Sequence, residues 1–346
     1  MNVLSGVSEF FGLDIGSTGI RAVQLRTVNG TKSYFKYGFT AIDAKMAGSD
    51  SENDLQKLGQ VIKQLVSQAG MTTNNVAVGI SSQRVFTTVV DIDRLSNDEL
   101  AKAIRYQADS LIPTPLAESK IDWALIGDSP VDKTKVELLL SSVPNVFVEK
   151  RLESLEAIGL NVIAFEPDSL ALTRALLKTG SITPTMIIDI AAKSTDIIVV
   201  VDGIPRLTRS IPTGTEAIIR SAMQSLNIDE KQAQQFVFKF GMSKEKLEGQ
   251  ILQAIGGTID ILTSEIEKSI KFFQQRYSNY KLDHMIVTGG ASVIPELPLH
   301  LANKFGTNIE IGNAWSNVAF PRDRQNELLA LSNQFGVAVG LAERNE

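Results

Sequence analysis

One pattern occurs twice in this chain and constrains its fold more than any other feature. From Phe10 to Leu25 the sequence reads Phe-Phe-Gly-Leu-Asp-Ile-Gly-Ser-Thr-Gly-Ile-Arg-Ala-Val-Gln-Leu. An apolar run carries Asp14 to its end, Gly16, Ser17, Thr18 and Gly19 make a tight turn, and a second apolar run returns. From Met186 the chain repeats the plan: Met-Ile-Ile-Asp-Ile-Ala-Ala-Lys-Ser-Thr-Asp-Ile-Ile-Val-Val-Val. Here the strand delivers Asp189, and Ala191 to Ser194 form the turn. Small polar hairpin tips present backbone N–H groups and hydroxyls, and glycine lets a phosphate approach the backbone closely. A carboxylate at the strand edge, Asp14 or Asp189, suits a magnesium ion held through water.

The echo runs on past each turn. Asn29-Gly30 and Asp202-Gly203 are both two-residue hairpin signals, and each leads to a third strand, Lys32 to Thr40 and Arg206 to Ile211. Each half therefore opens with a three-stranded meander. A duplication with a phosphate-type hairpin in each half predicts two lobes that clamp one phosphorylated ligand.

Composition sets the outer bounds. The 346 residues are 43% hydrophobic and 21% charged, as in a globular protein with an ample core. A net charge of -5 argues against general affinity for nucleic acid. Cys is absent, and His284 and His300 are not near carboxylates in a zinc-like spacing, which removes disulfides and thiolate or His-rich metal sites. No apolar run approaches the roughly 18 residues of a membrane span, and the first nine residues lack the basic start of a secretory signal. The expected location is cytoplasmic, without direct membrane insertion, so any membrane link comes through a partner.

Between the two halves, periodicity predicts a helix over 54–69 closed by Gly70, a strand at 76–80, then an interruption over 84–167. In it, strands at 85–92, 121–126, 136–141 and 161–165 and helices from Ser96 and Val146 follow the order βαββαβ, a ferredoxin-like split motif. RNA-binding domains share that order, but their sheet-face aromatics and basic framing are missing here. Helices fill 216–277, and Gly214 before the first of them marks an anion-binding helix start.

Paired Asp-centred hairpins resemble those of the superfamily of actin, heat-shock ATPases and sugar kinases. Within it the whole chain is similar to the PilM family, FtsA-related proteins of type IV pilus assembly. The specific pieces are Leu95 to Pro113 in the insert, Ile211-Pro212-Thr213-Gly214 and Ile286-Val-Thr-Gly-Gly-Ala-Ser292. The resemblance implies an α/β fold, the actin-like two-lobed ATPase fold with an inserted ferredoxin-like subdomain. Its divisions are residues 1–83, the insert 84–167, a linking helix 168–182, a second lobe 183–331 with a helical part at 215–280, and a closing helix at 332–346.

The same resemblance implies ATP and Mg2+ as ligands. Phosphates fall to Asp14, Gly16, Ser17, Thr18, Lys193, Ser194, Thr195 and Gly214. Ribose and base fall to Glu265, Lys268 and Ser269, and the adenosine to Gly289, Gly290 and Ala291. Asp14 and Asp189 serve the metal through water, and Glu166 orients a water on the terminal phosphate. The implied partners are the N-terminal tail of a PilN-like membrane protein, captured at the insert, other proteins of the pilus platform, and further copies of the chain in a homo-oligomer. Ala191 stands where relatives carry glycine; a positive φ there would add strain of roughly 1 kcal/mol. The protein is then at most a slow ATPase. Two rival readings are an FtsA-like division or filament protein, disfavoured by an ending without an amphipathic helix, and a sugar or acid kinase, for which only Asp196 and Glu166 offer a base.

Overall fold

The computed structural model of the chain describes residues 9–345, apart from the side chains of Asn97, Asp98 and Ala108. The stretch read above for a secretory leader lies almost wholly outside the described residues. The chain divides into two compact units: residues up to Ala175 with Trp315–Gln325 and Val337 onward, and Leu176–Ala314 with Asn326–Gly336.

In the first unit β1 (Phe11–Ile15), β2 (Gly19–Val28) and β3 (Thr31–Ala41) form an antiparallel meander. Asn29 and Gly30 turn with φ of 51° and 78°, the twist-matched hairpin geometry that Asn-Gly favours. After the short α1 (Ala44–Gly48), α2 (Glu52–Ala69) is capped by Ser51 and ends at Gly70 with φ 66°. Its stripe Leu58, Ile62 and Leu65 packs on Phe11, Leu13 and Ile20 of the sheet. β4 (Asn75–Ile80) lies parallel to β1.

The insert contains β5 (Phe86–Asp93), α3 (Asn97–Leu111), β6 (Ser119–Asp128) and β7 (Lys135–Pro144), with strand order β5-β7-β6. The Ser96 amide and hydroxyl both donate to Glu99 Oε2, at 3.1 and 2.6 Å, the glutamate half of a capping box. Leu100 and Ile104 of α3 bury against Ile92, Val136, Leu138 and Leu140.

The fourth strand expected in the insert is elsewhere. α4 (Asn145–Glu156) packs on α2, and β8 (Asn161–Pro167) pairs in parallel with β4 from Asn75↔Asn161 to Ile80↔Pro167. Leu155 and Leu160 enter the core built by Leu58 and Ile62, and that burial holds α4 and β8 on the main sheet. The insert is thus a three-stranded sheet with one helix, not a complete ferredoxin-like motif, and it ends before residue 145. α5 (Asp168–Leu176) follows.

The second unit repeats the plan. β9 (Thr185–Ile190), β10 (Thr195–Val201) and β11 (Ile204–Ile211) make the second meander, turning at Asp202 and Gly203 with φ of 53° and 75°. α6 (Thr215–Leu226), α7 (Glu230–Phe240) and α8 (Gln250–Arg276) precede β12 (His284–Thr288), α9 (Leu297–Phe305) and β13 (Asn308–Ile311). The sheet orders β3-β2-β1-β4-β8 and β11-β10-β9-β12-β13 are the same order and direction, so the duplication seen in sequence extends to topology.

The last stretch departs from the closing helix expected at 332–346. α10 (Gln325–Leu331) and α11 (Gly336–Ala342) are separated by a turn at Ser332–Gln334. Ser332 Oγ donates to Asn313 Oδ1 at 2.9 Å and accepts from the Ala314 amide at 2.7 Å. Those polar ties hold the second unit, while α11 packs in the first: a Cβ built on Gly340 would stand 1.9 Å from the Ala171 carbonyl oxygen of α5. The unit boundary expected at 331 also shifts, because Ala319 bridges to Ser33 on the edge strand β3 and Trp315 packs on Tyr34.

Candidate functional site

The first hairpin turn is closed by the Gly16 amide donating to the Gly19 carbonyl at 3.0 Å. A Cβ on Gly19 would meet the exposed Phe39 ring at 2.6 Å, so a side chain there would displace that ring. Asp14 is buried and faces Arg21 across the strands; Arg21 Nη1 lies 3.3 Å from Asp14 Oδ2 and 3.4 Å from the Gly19 carbonyl. Burial pushes the Asp14 carboxyl above its ordinary value, and the Arg21 charge and hydrogen bond oppose that rise. Ser17 is half-buried and Thr18 exposed. Among the described residues no acceptor takes their amides or hydroxyls, so the tip offers four donors to an incoming oxyanion.

The second turn has the same closure, the Ala191 amide donating to the Ser194 carbonyl at 2.9 Å. The methyl of Ala191 brings no backbone strain, because Ala191 is not among the residues with positive φ; the expected penalty does not arise. Lys193 is exposed, Ser194 and Thr195 are buried, and Thr195 Oγ1 donates to the Thr213 carbonyl at 2.7 Å. That hydroxyl is committed to the fold.

Gly214 lies against this turn, where a Cβ would stand 2.5 Å from the Ala191 oxygen and 2.6 Å from the Ala192 oxygen. The first amides of α6 are spent on the same carbonyls: Thr215 donates to Ala191 and Glu216 to Ala192, both at 2.9 Å. The helix start expected to receive an anion therefore clamps the hairpin instead. The difference follows from Ala191 and Ala192, whose small side chains let the helix end approach the turn.

Asp189 pairs in register with Asp196 on one side and Thr288 on the other. Gly289 takes φ 82°, and a Cβ on it would meet Asp189 Oδ1 at 2.3 Å and the Ile190 oxygen at 2.5 Å. Gly290 lies near Thr215, with 3.8 Å from its Cβ position to Oγ1, and Ala291 is fully buried. The second unit thus brings Asp189, the Ala191–Ser194 turn, Gly214, Gly289 and Gly290 together. Asn333 was not singled out from sequence, yet it holds this turn: Gly289 N–H donates to its carbonyl at 2.9 Å and its Nδ2 donates to the Gly289 carbonyl at 3.1 Å. The signal was the polar Ser332-Asn333 pair inside an otherwise apolar helical pattern.

Glu265, Lys268 and Ser269 gather around an unforeseen residue, Arg209 of β11. Arg209 pairs with Glu265, Lys268 Nζ lies 2.6 Å from Glu265 Oε1, and Arg209 Nη1 donates to Ser269 Oγ at 3.3 Å. Hydrogen bonding from Lys268, then the Arg209 charge, holds the Glu265 carboxyl below its ordinary range. Ser269 is 1% exposed, so its hydroxyl is a structural group and not a contact for a ribose.

Glu166, at the end of β8, is 2% exposed. Arg174 Nη2 lies 2.7 Å from one oxygen and Arg344 Nη1 2.5 Å from the other. A carboxylate held by two guanidiniums anchors α5 and the chain after α11, and its burial keeps it from orienting a water. Among the described residues no three His, Cys, Asp or Glu gather as a metal-binding group. Asp14 meets a cation only alongside Arg21.

A sequence profile of type IV pilus assembly protein PilM matches residues 12–346. The chain belongs to the PilM family. Among solved structures, one described as the PilM-PilN type IV pilus biogenesis complex matches with TM-score 0.83 and 22% identity, covering 96% of this chain and 97% of that one. The ethanolamine utilization protein EutJ from Carboxydothermus hydrogenoformans matches at 0.56 and 14%, covering 96% and 89%. MreB5 of Spiroplasma citri bound to AMPPNP matches at 0.54 and 12%, covering 96% and 95%. These likenesses establish the actin-like α/β fold. No helix among the described residues is long and apolar enough to cross a membrane.

Proposed function

We propose that this PilM-family chain is an ATP-binding adaptor of the pilus assembly platform that captures the N-terminal tail of a PilN-like membrane protein. The observation that carries the nucleotide part is the pair of identically closed turns in duplicated sheets, with unbonded donors at Ser17 and Thr18. Those donors fit phosphate oxygens. Lys193 adds charge from the second turn, and Gly290, half-buried beside the committed Gly289, offers side-chain-free backbone to a nucleoside. Mg2+ would supply charge neutralisation at the phosphates, with Asp14 in the first unit and Asp189 in the second as the carboxylates to hold it through water.

Slow or absent hydrolysis fits the burial of Glu166 between two guanidiniums, which keeps that base from the terminal phosphate. A neighbour bound to AMPPNP and another solved as a PilM-PilN complex support the ligand and the partner. So do β5 and β6, the edge strands of the insert's sheet, which suit an extended peptide. The chain would then reach the cytoplasmic face of the membrane through that partner.

The test is capture of peptides from the cytoplasmic tails of membrane pilus proteins, with and without Mg-ATP. Capture whose affinity changes with nucleotide is expected, since coupling requires different affinities in two states. Equal capture under both conditions leaves an adaptor without a nucleotide switch. No capture under either removes the adaptor function.

A further inference from the structure

At the base of the insert, cations outnumber carboxylates. Arg84 precedes β5, Phe147, Lys150 and Arg151 lie on α4, and Asp50 precedes α2. Asp50 is already shared: its Oδ2 lies 3.3 Å from Arg84 Nη1, and its carbonyl accepts from Lys150 Nζ at 3.1 Å. Arg84 Nη2 also donates to the Gly48 carbonyl at 3.2 Å. The guanidiniums of Arg84 and Arg151 stand 5.3 and 5.6 Å from the centre of the Phe147 ring.

Arg151 is the group these contacts leave over. It is 7% exposed, and its Nη1 is buried without a hydrogen-bond partner. Among the described residues it forms no ion pair. Burial pushes the guanidinium below its usual value; Asp50 counters this and Arg84 adds to it. A buried cation with an N–H that no acceptor takes is costly, and native structures satisfy nearly all buried polar atoms. An open donor on a buried cation, beside a second arginine and a lysine with one carboxylate among them, therefore calls for an anion.

We infer that the junction formed by Arg84, Phe147 and Arg151 is a binding site for an oxyanion, carried as a phosphate or a carboxylate. Two guanidinium forks match the oxygens of either group, and the Phe147 ring supplies a shared apolar wall. The ligand would fasten α4 to the loop before α2 and to the strand entry at Arg84, steadying the base of the insert. The site shares no residue with the nucleotide turns.

The probes are inorganic phosphate and acetate, each titrated into the full chain by calorimetry and thermal melting against sodium chloride of matched ionic strength. Binding is expected in the wild type and in Ser17→Ala, with at least a tenfold loss of affinity in Arg151→Met. Whichever anion binds more tightly names the carrier chemistry. Failure of both anions to bind overturns the inference. So does equal affinity in Arg151→Met, or loss in Ser17→Ala alone, which would assign the anion to the hairpin tip. If Arg151→Met does not fold, Arg84→Gln, altered at a half-exposed side chain, decides the question: weaker binding is expected and unchanged affinity contradicts the site.

Discussion

Asp14 and Arg21 each expose little more than a tenth of their side chains, so they stand or fall together. Arg21→Met would strand a buried carboxylate and cost on the order of 3 kcal/mol near neutral pH. Because Asp14 titrates above its unfolded value, protonation relieves that cost. The loss in urea melts should therefore be larger at pH 8 than at pH 5; equal losses would mean the pair carries no charge coupling. Glu343 gives a second residue-scale prediction. Burial raises its carboxyl to about 7, against the charge of Arg174, the hydrogen bond from Asn317 and the charge of Lys32, and its Oε1 is buried without a hydrogen-bond partner. The folded chain then holds a proton that the unfolded chain has released, so stability falls as pH rises from about 4.5 to 7 and is level above. A rise from 4.5 to about 7 corresponds to roughly 3 kcal/mol at most. Glu343→Gln should flatten that part of the stability–pH curve in chemical denaturation; an unaltered slope would assign it to other groups. Neither residue announced itself in sequence. Arg21 was legible only through hairpin register, and Glu343 reads as a surface glutamate until the packing around α11 buries it.

Among elements, the hairpins were the most legible, because Asn-Gly and Asp-Gly specify a turn by local sterics alone. What local sequence does not contain is strand order. β8 reads equally well as the fourth strand of the insert or the fifth of the first sheet, and only the burial of Leu155 and Leu160 beside α2 decides between them. The Ser332-Asn333 break was hidden for a related reason: its hydrogen bonds reach Asn313, Ala314 and Gly289, far away in sequence. Glycines separate two element-level effects. Gly257 lies mid-helix in α8 with nothing within 4 Å of its Cβ position, so Gly257→Ala should raise stability by about 0.5–1 kcal/mol. Gly340→Ala would drive a methyl into the Ala171 carbonyl and should lower the melting temperature sharply. Thermal melts of the two variants check both signs, and similar shifts would mean that neither packing nor helix propensity decides these positions.

For the whole molecule, two units of like topology each offer one turn of the same closure, and the insert interrupts only the first. The duplication was visible in sequence because strand, carboxylate and turn recur at matching offsets. The working parts of each turn were not equally visible: in the first unit the tip donors stay open, whereas in the second the α6 amides clamp the turn from behind. The proposed function gives each turn a part in nucleotide binding, so damage to either should weaken it. The decisive measurement is a calorimetric titration of Mg-ATP into the wild type, Asp14→Ala and Lys193→Ala, with folding of each variant checked by melting. Binding to the wild type, weakened at least tenfold in each variant, is the result predicted. Wild-type affinity in either folded variant, or no binding of Mg-ATP to the wild type, would contradict the assignment.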